Sequence, residues 1–318
     1  MRSRKLSVIV PFYNEQDQVL VTLDALRSIL NGLDYSYEII LVDDGSTDST
    51  WEHISSASGH SRPADQDGLT GTVTGIGFSR NFGKEAAICA GLHFAEGDAA
   101  IVMDGDLQHP PEYIPHMVSV WASGEADIVE GIKASRRNDS FPQRVNAFIF
   151  YKLFGKVTGY DLRNASDFKL MDRSVLDEWR RLGEHDTFFR GLSAWLGFRR
   201  STFEFDVAPR KSGGSKWPVG KLFRLSVNAI TSFSALPLQI VTLFGAVFLL
   251  FSVALTIQTL VRWFSGTAAD GFTTVILLVL FSGGAIMMSL GLIGIYIGRI
   301  FTEVKSRPRY IVSRKTGK

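Results

Sequence analysis

Two carboxylates separated by a single residue follow a short hydrophobic run in the first half of the chain. Asp104 and Asp106 come directly after residues 101–103, and Gln108 follows two positions later. Side chains at this spacing project to the same side of an extended chain, and burying two carboxylates together is costly unless a cation neutralises them. Mg²⁺ and Mn²⁺ prefer oxygen ligands and complete their shell with water and phosphate oxygens. We therefore predict a Mg²⁺ or Mn²⁺ site at Asp104, Asp106 and Gln108 that holds a diphosphate.

Two earlier segments also place polar side chains directly after short apolar runs. They read PFYNE at residues 11–15 and DDGSTD at residues 43–48. The second segment alone is equally typical of a turn and a helix N-cap, because Asp, Ser and Thr side chains accept hydrogen bonds from free amides at a helix start. Ligands of doubly wound sheets gather beyond the carboxyl ends of the strands. If the apolar runs before these segments are strands, the segments are candidates for ligand binding.

Short runs rich in β-branched residues alternate with stretches of helical periodicity. This alternation predicts an α/β domain of the doubly wound type with a mainly parallel sheet. The predicted strands cover residues 6–10, 38–42, 75–78, 99–103 and 127–131. The predicted helices cover residues 15–30, 47–56, 84–95 and 112–123.

Two long stretches near the C-terminus carry no charged residue. They cover residues 237–261 and 272–298, and each exceeds the roughly 20 residues that a helix needs to cross a bilayer. We expect two transmembrane helices, and the alternative is a pair of buried core helices. The short connection RWFSGTAADG makes them an antiparallel hairpin.

Basic residues stand on both flanks of this predicted hairpin, whereas the connection contains Arg262 alone. The positive-inside rule then places the preceding domain and both termini in the cytoplasm, which makes this a multi-pass protein of the plasma (inner) membrane. Small residues recur three to four apart between positions 283 and 298, among them five glycines, and favour close helix approach, either within the hairpin or between copies in a homo-oligomer. Residues 216–234 have the pattern of an interfacial amphipathic helix, and the alternative is a surface helix of the preceding domain.

Composition excludes several classes of function. The 318-residue chain has a formal net charge of +2, which gives no basis for a nucleic-acid-binding face. Its single cysteine, Cys89, excludes both an intrachain disulfide and a multi-cysteine zinc site. Four regions follow from the patterns: a cytoplasmic domain at 1–214, a juxtamembrane region at 215–235, two membrane helices within 236–299, and a basic tail at 300–318.

Five segments together resemble the GT-A glycosyltransferases of family 2, in particular those that transfer sugars to polyprenyl phosphates, such as bactoprenol glucosyltransferases and dolichol-phosphate mannose synthase. The segments occur in the family order and span most of residues 6–214. They are VIVPFYNE (8–15), LVDDGSTDST (41–50), FSRNFGKEAAICAGL (78–92), MDGDLQHPPE (103–112) and SDFKLMDR (166–173). The two terminal spans resemble the bactoprenol branch.

This resemblance implies a GT-A fold and transfer of a sugar, with inversion, from a nucleotide donor to polyprenyl (undecaprenyl) phosphate. UDP-glucose is the expected donor, and GDP is the second choice of nucleotide. The product would be a polyprenyl-monophosphate sugar for later glycosylation outside the cytoplasm, such as lipopolysaccharide modification. A flippase and an extracytoplasmic glycosyltransferase are the partners expected downstream.

The resemblance also assigns roles to residues of this chain. It implies a nucleotide site at Pro11, Tyr13, Glu15, Val42 and Asp44. It implies donor and metal roles for Asp104, Asp106 and Gln108, and it places Asp167 at the family position proposed as catalytic base. A phosphate acceptor is already ionised, so Asp167 need do little proton abstraction. Asp167 is instead expected to orient the acceptor or its metal.

Basic residues are expected to hold the lipid phosphate. The resemblance points to Lys133, Arg144 and Arg210, with Arg136 and Arg137 as substitutes for Lys133. The family often has arginine at the position of Lys133, and lysine cannot form the same two-pronged contact.

Two other functions compete with this interpretation. A processive polysaccharide synthase would share the front domain but resembles a Q-x-x-R-W pattern, whereas this chain has QTLVRW at 258–263, one residue too long. A non-catalytic membrane scaffold would need no metal, and the intact D-x-D argues against it.

Overall fold

A computed structural model of the 318-residue chain describes residues 4–62, 68–133, 165–185, 187–206, 236–266 and 271–317. These residues divide into two compact units. The first unit contains the described residues up to Asp206 together with the segment that begins at Pro308. The second unit contains the described residues from Leu236 to Arg307.

A nine-stranded mixed sheet forms the centre of the first unit. The spatial order is β3-β4-β2-β1-β5-β7-β6-β8, and β9 also pairs with β4. Strands β4, β2, β1 and β5 run parallel, whereas β7 is inserted antiparallel between β5 and β6. The strands are β1 Lys5–Phe12, β2 Ser36–Asp43, β3 Gly59–Arg62, β4 Gly71–Phe78, β5 Ala99–Val102, β6 Ile128–Lys133, β7 Ala165–Asp172, β8 Arg200–Phe205 and β9 Val312–Thr316.

Helices connect the strands as the sequence pattern predicts. The first four α-helices correspond to the four predicted helices, and a short 3₁₀ turn at Pro111–Tyr113 precedes α4. The α/β architecture with a mainly parallel sheet is therefore confirmed. The helices of this unit are α1 Gln16–Leu30, α2 Thr50–Ala57, α3 Lys84–Phe94, α4 Ile114–Ala122, α5 Arg173–Arg181 and α6 Phe189–Trp195.

The central strands are apolar on both faces because helices cover the sheet from both sides. In β1, Leu6, Val8, Ile9 and Val10 have no exposed surface. Continuous apolar runs of this kind are typical of parallel strands that are buried on both faces. This rigid layer positions the segments that follow each strand.

The segment 300–318, which the sequence pattern predicts to be a basic tail, contains regular structure. Its first residues complete a long helix that ends at Val304, and residues 312–316 form β9. The β9 sequence VSRKT is too short and polar to be recognised as a strand without its partner β4. Its pairing fills part of an exposed strand edge, which proteins generally cover or protect.

Two long helices make up the second unit: α7 Leu236–Phe264 and α8 Phe272–Val304. Both are long and apolar enough to cross a membrane. They contact one another, and the rings of Phe248 and Phe281 stack with centroids 5.5 Å apart. Their large side chains are exposed, with 73% of Phe244 and 77% of Met288 accessible. A core helix of a soluble protein would bury such side chains.

A buried charge cluster joins β6, β7 and β8. Lys169 Nζ lies 2.7 Å from Glu130 Oε1, and both side chains are at most 1% exposed. Arg200 contacts the other oxygen of Glu130. Burial lowers the pKa of Lys169 despite the opposing effect of Glu130. The single carboxylate therefore forms ion pairs with both cations.

Removing that carboxylate charge is expected to destabilise the first unit. Glu130→Gln keeps the shape of the side chain but removes the counter-charge that Lys169 and Arg200 share, so the free energy of unfolding should fall by about 3 kcal/mol. Denaturant unfolding of the purified chain measures it. Glu204→Gln, on the exposed side of β8, is the control and should change little. A Glu130→Gln variant as stable as the control would contradict the role of the cluster.

Candidate active site

The carboxyl ends of three parallel strands meet at one edge of the sheet. Pro11 of β1 lies beside Val42 of β2, and Ile9 lies beside Val102 of β5. The polar segments that follow these strands are therefore neighbours. This is the edge at which doubly wound sheets bind ligands.

The antiparallel strand β7 brings Asp167 to the same edge. Val102, the last residue of β5, pairs with Lys169, so the same register continued two residues past β5 places Asp104 opposite Asp167. Asp167 is 4% exposed. Two carboxylates so close together repel one another unless cations lie between them.

Two basic side chains neutralise this carboxylate pair. Lys84 Nζ lies 2.6 Å from Asp104 Oδ1 and 2.7 Å from Asp167 Oδ2. The guanidinium of Arg190 donates two hydrogen bonds to Asp167, 2.7 Å from Nε to Oδ1 and 3.0 Å from Nη2 to Oδ2. Lys84 is the first residue of α3 and Arg190 belongs to α6, so two helices converge on one carboxylate.

These contacts control the ionisation of the cluster. Burial alone would raise the pKa of Asp167, but Arg190 and Lys84 outweigh it and hold that pKa well below its ordinary value. The pKa of Asp104 is lowered in the same way, chiefly by Lys84 acting against burial. Burial would lower the pKa of Lys84, but Asp104 and Asp167 raise it. All three groups are charged at neutral pH.

Glu85, the next residue of α3, behaves differently. Burial, with a smaller effect from Asp167, raises its pKa to about 7. Its Oε2 accepts a hydrogen bond of 2.8 Å from the backbone N–H of Phe189 at the start of α6. Glu85 therefore links α3 to α6 while adding a titratable group beside the charged cluster.

The donor atoms after β5 fit a small divalent cation. Asp104 Oδ1 is buried and, apart from its ion pair with Lys84 Nζ at 2.6 Å, receives no well-directed hydrogen bond from the described residues. Asp106 and Gln108 are partly exposed nearby in the chain, and Asp106 Oδ1 accepts the backbone N–H of Gln108 at 3.1 Å. Among the described residues no group of three or more His, Cys, Asp or Glu side chains is arranged around a metal position. A Mg²⁺ or Mn²⁺ ion would thus take two carboxylates from the protein and further oxygens from water and phosphate.

The backbone after β5 is held by close packing. His109 stacks on Phe168, with ring centroids 5.3 Å apart, and its Nδ1 accepts the backbone N–H of Asp104 at 3.0 Å. A side chain at Gly105 would collide with the Phe12 ring, because its Cβ would lie 2.3 Å from a ring atom. Leu107 has a positive φ of 57°, which is unusual for a residue with a side chain. The Asp-Gly-Asp turn therefore has little freedom to move.

The residues expected to bind the nucleotide lie at the ends of β1 and β2. Pro11, Val42 and Asp44 are buried, whereas Tyr13 is 45% exposed and Glu15 is partly exposed. The register of β1 and β2 brings Pro11 and Val42 together. The structure thus gathers the predicted set at one place, with an exposed aromatic ring beside buried polar groups.

Asp44 fixes the loop that follows β4. Its carboxylate accepts backbone N–H groups from Phe82 at 2.7 Å and from Gly83 at 2.9 Å. Burial raises the pKa of Asp44, although these two hydrogen bonds oppose the shift. Gly45 has a φ of 69°, and a Cβ there would lie 2.3 Å from the backbone of Arg80. Only glycine fits this close approach.

The residues expected to bind a lipid phosphate lie at the limit of the described chain. Lys133 is the last residue of β6, which pairs with β7. Arg144 and Arg210, and the alternative residues Arg136 and Arg137, lie outside the described residues, as does the proposed amphipathic segment at 216–234. Their roles stay predictions.

Sequence reasoning missed Lys84, Arg190, Glu85 and His109 as parts of the site. Lys84 and Glu85 stand in the FGKEAA string and His109 in LQHPP, so both motifs were in view. The sequence alone does not show that the fold brings α3 and α6 to the end of β5. Arg190 carried no local signal at all.

Comparison with known proteins adds independent evidence. The family model described as glycosyl transferase family 2 matches residues 7–180. An uncharacterized glycosyltransferase of Synechocystis sp. is 38% identical over 311 residues, which cover 97% of this chain and 95% of that protein. The SfII prophage-derived bactoprenol glucosyl transferase of Shigella flexneri is 37% identical over 315 residues, 98% of either chain. The bactoprenol glucosyl transferase of Shigella phage SfV is 37% identical over 319 residues, 99% of this chain and all of that protein.

These matches run through the sheet, its acidic edge and the two apolar helices, and they confirm the GT-A-type fold that the motifs implied. The family model alone covers more than half of the 318 residues, and the relatives align with almost all of them. The chain is therefore a glycosyltransferase and belongs to glycosyl transferase family 2.

Proposed function

We propose that this glycosyltransferase transfers a sugar from UDP-glucose to a polyprenyl phosphate at the cytoplasmic face of a membrane. The observation that carries the proposal is the meeting of Asp104 and Asp167 with Lys84 and Arg190 at the carboxyl edge of the sheet. A site with both signs of charge suits a reaction in which two anionic substrates come together. Relatives named bactoprenol glucosyl transferases, which align over the apolar helices as well, support the lipid acceptor.

The reaction needs one bond to form and one to break. A phosphate oxygen of the acceptor forms a bond to the anomeric carbon, and the bond from that carbon to the diphosphate oxygen breaks with its electron pair leaving on the nucleoside diphosphate. The configuration inverts in a single displacement of this kind. A Mg²⁺ or Mn²⁺ ion held by Asp104, Asp106 and Gln108 would supply positive charge to the departing diphosphate.

Asp167 is proposed as a positioning carboxylate rather than a proton acceptor. The pKa of its carboxyl group is held well below the ordinary value by Arg190 and Lys84, so it is a weak base at neutral pH. The acceptor phosphate is already ionised and has no proton that must be removed. Asp167 instead fixes the two cations, which then face the anionic substrates.

Basic residues around this edge would bind the acceptor phosphate. Lys133, at the end of β6, and Arg144 and Arg210 remain the proposed contacts, with Lys84 and Arg190 as cations that the structure adds to the set. Pro11, Tyr13, Glu15, Val42 and Asp44 are proposed to surround the base and ribose. The lipid-linked product would then serve a flippase and a glycosyltransferase on the other side of the membrane.

The path of the chain supports a hairpin anchor. The segment after α8 pairs with β4 of the first unit, which holds the proposed catalytic site and is the catalytic unit of the chain, and the described residues up to Asp206 that precede α7 belong to that unit as well. We therefore expect both ends of the helix pair to lie on one side of the membrane. Two crossings satisfy this requirement, whereas one crossing does not. The excess of basic residues on those ends favours the cytoplasm.

The metal site can be tested by removing one carboxylate. Asp106→Asn is expected to reduce glucose transfer to undecaprenyl phosphate by at least about 100-fold, because the charge of the departing diphosphate loses part of its stabilisation. Radiolabelled UDP-glucose and purified membranes measure the transfer, with and without a chelator. Glu125→Gln, at an exposed position after α4, is the matched control. Normal, chelator-resistant transfer by Asp106→Asn would reject the metal assignment.

Glu85 predicts a pH dependence of stability. Its pKa is raised from the ordinary value of 4.5 to about 7, so folding favours the protonated form. That stabilisation is complete below about pH 4.5 and is lost as the pH rises to about 7. Since one pKa unit corresponds to about 1.4 kcal/mol, the wild type should lose up to about 3 kcal/mol relative to Glu85→Gln over this range.

Thermal unfolding at a series of pH values measures the difference between the two proteins. Glu52→Gln, exposed on α2, provides the control for removing an ordinary glutamate. A constant difference between wild type and Glu85→Gln from pH 5 to pH 7.5 would contradict the raised pKa.

The single cysteine makes the orientation directly measurable. In a Cys89→Ser background, Ser265→Cys places a thiol in the connection after α7, and Glu303→Cys places one near the end of α8. A membrane-impermeant maleimide added to intact cells should label the first thiol and should label the second only after the cells are broken. Labelling of Glu303→Cys in intact cells would reverse the proposed orientation.

A further inference from the structure

The C-terminal strand β9 reaches the end of β2, where the nucleotide is proposed to bind. Strand β4 pairs with β2 along one edge. Along its other edge, residues 71–73 pair with β3 and residues 75–78 pair with β9. The backbone N–H of Ser79 also donates to Ile311 O at 3.0 Å. The chain thus returns from α8 to complete the sheet of the catalytic unit.

Glycines in β4 make room for the side chains of β9. A Cβ at Gly75 would lie 2.6 Å from Thr316 Oγ1, and a Cβ at Gly77 would lie 2.9 Å from the Trp51 ring and 3.3 Å from the Cβ of Arg314. Glycine weakens a strand interior and often marks a place where other groups approach closely. Thr316 also bonds to Ser58 at the end of α2, 2.5 Å away. Side chains of β9 and α2 therefore fill the space that the two glycines of β4 leave.

Arg314 is the side chain of β9 that reaches the proposed donor site. Its guanidinium lies 4.6 Å from the centre of the Trp51 ring and donates to Asp43 Oδ2 at 3.4 Å. Asp43 ends β2 and has no exposed surface. A buried carboxylate is costly without a cation nearby, and Arg314 forms the one ion pair that the described residues give Asp43.

Asp43 also holds the loop beside the proposed nucleotide site by a hydrogen bond. Its other oxygen, Oδ1, accepts the backbone N–H of Ser46 at 3.0 Å. Ser46 Oγ in turn accepts the backbone N–H of Asn14, which follows β1, at 2.9 Å. The loops after β1 and β2 are thus tied to each other and to Arg314 through Asp43.

We propose that β9 is a functional part of the donor site, with Arg314 as a positioning residue that acts through Asp43 on the loop at 44–48. The part of this proposal that concerns the nucleotide rests on the proposed function. One consequence is that the donor site is complete only in a chain whose C-terminal segment has returned to the catalytic unit.

The neighbouring residue supplies a matched control. Lys315 follows Arg314 on the same strand, and successive side chains of a strand point to opposite faces. Lys315 Nζ lies 4.7 Å from the centre of the Phe94 ring on α3, away from Asp43 and Trp51. Arg314→Ala and Lys315→Ala therefore each remove one cation that contacts an aromatic ring, but only the first affects Asp43.

The test compares these variants in the full-length protein. Calorimetry with UDP and Mn²⁺ gives the dissociation constant, and transfer assays give KM for UDP-glucose and kcat. Arg314→Ala should raise both the dissociation constant and KM about tenfold, which corresponds to about 1.4 kcal/mol, and should leave kcat within about twofold. Arg314→Lys, which keeps the cation, should recover most of the affinity, and Lys315→Ala should match the wild type.

Amide hydrogen exchange reports on the loop without any ligand. Exchange at residues 44–48 should become faster in Arg314→Ala and stay unchanged in Lys315→Ala. If Arg314→Ala does not fold, Arg314→Met keeps the aliphatic stem against Trp51 and should show the same loss of UDP affinity and the same faster exchange.

The outcomes separate this proposal from the proposed function. Wild-type affinity and exchange in Arg314→Ala would overturn the proposal, as would equal losses in Arg314→Ala and Lys315→Ala. A lower kcat and thermal midpoint with unchanged KM would also overturn it, because Arg314 would then only stabilise the fold. A wild-type protein that binds neither UDP nor GDP would reject the proposed function, while faster loop exchange confined to Arg314→Ala would still support the action of Arg314 through Asp43.

Discussion

The close approach of Asp104 and Asp167 is the constraint on which the rest of the site depends. Both carboxylates lie at the buried edge of the sheet, where two negative charges cannot remain together without cations. Lys84 bridges them, and Arg190 binds Asp167 from another helix. These contacts lie at the starts of α3 and α6. The same interactions therefore balance the charges of the site and hold the two helices in place. In the proposed function, the same two cations also face the anionic substrates.

The sheet topology explains how residues far apart in sequence reach this edge. Parallel strands β1, β2 and β5 bring the polar segments that follow them to one side. A wholly parallel sheet would not bring Asp167 there, because it lies near the start of β7 rather than after its end. The antiparallel insertion of β7 solves this geometric problem. The later antiparallel pairing of β9 adds Arg314 beside Asp43 at the end of β2.

Local patterns were sufficient for the parts of the structure that depend on local sequence. Alternating strands and helices, the hydrophobic strand before Asp104 and the uncharged stretches of α7 and α8 were all visible in the chain, and the family motifs were continuous strings. The contact of Lys84 with Asp167 spans 83 residues, and that of Arg314 with Asp43 spans 271. No periodicity encodes such pairings, since they follow from the order of strands in the sheet. Strand β9 was missed because five mostly polar residues form a strand only when β4 supplies the partner.

The most direct measurement is Mn²⁺ binding followed by electron paramagnetic resonance, with the purified full-length chain titrated in the presence and absence of UDP. A site formed by Asp104 and Asp106 together with diphosphate oxygens predicts one tightly bound Mn²⁺ per chain when UDP is present. It also predicts weaker binding without UDP and loss of that ion in Asp104→Asn. Failure of the wild type to bind Mn²⁺ in the presence of UDP, or unchanged binding by Asp104→Asn, would contradict the account of how this edge of the sheet brings two anionic substrates together.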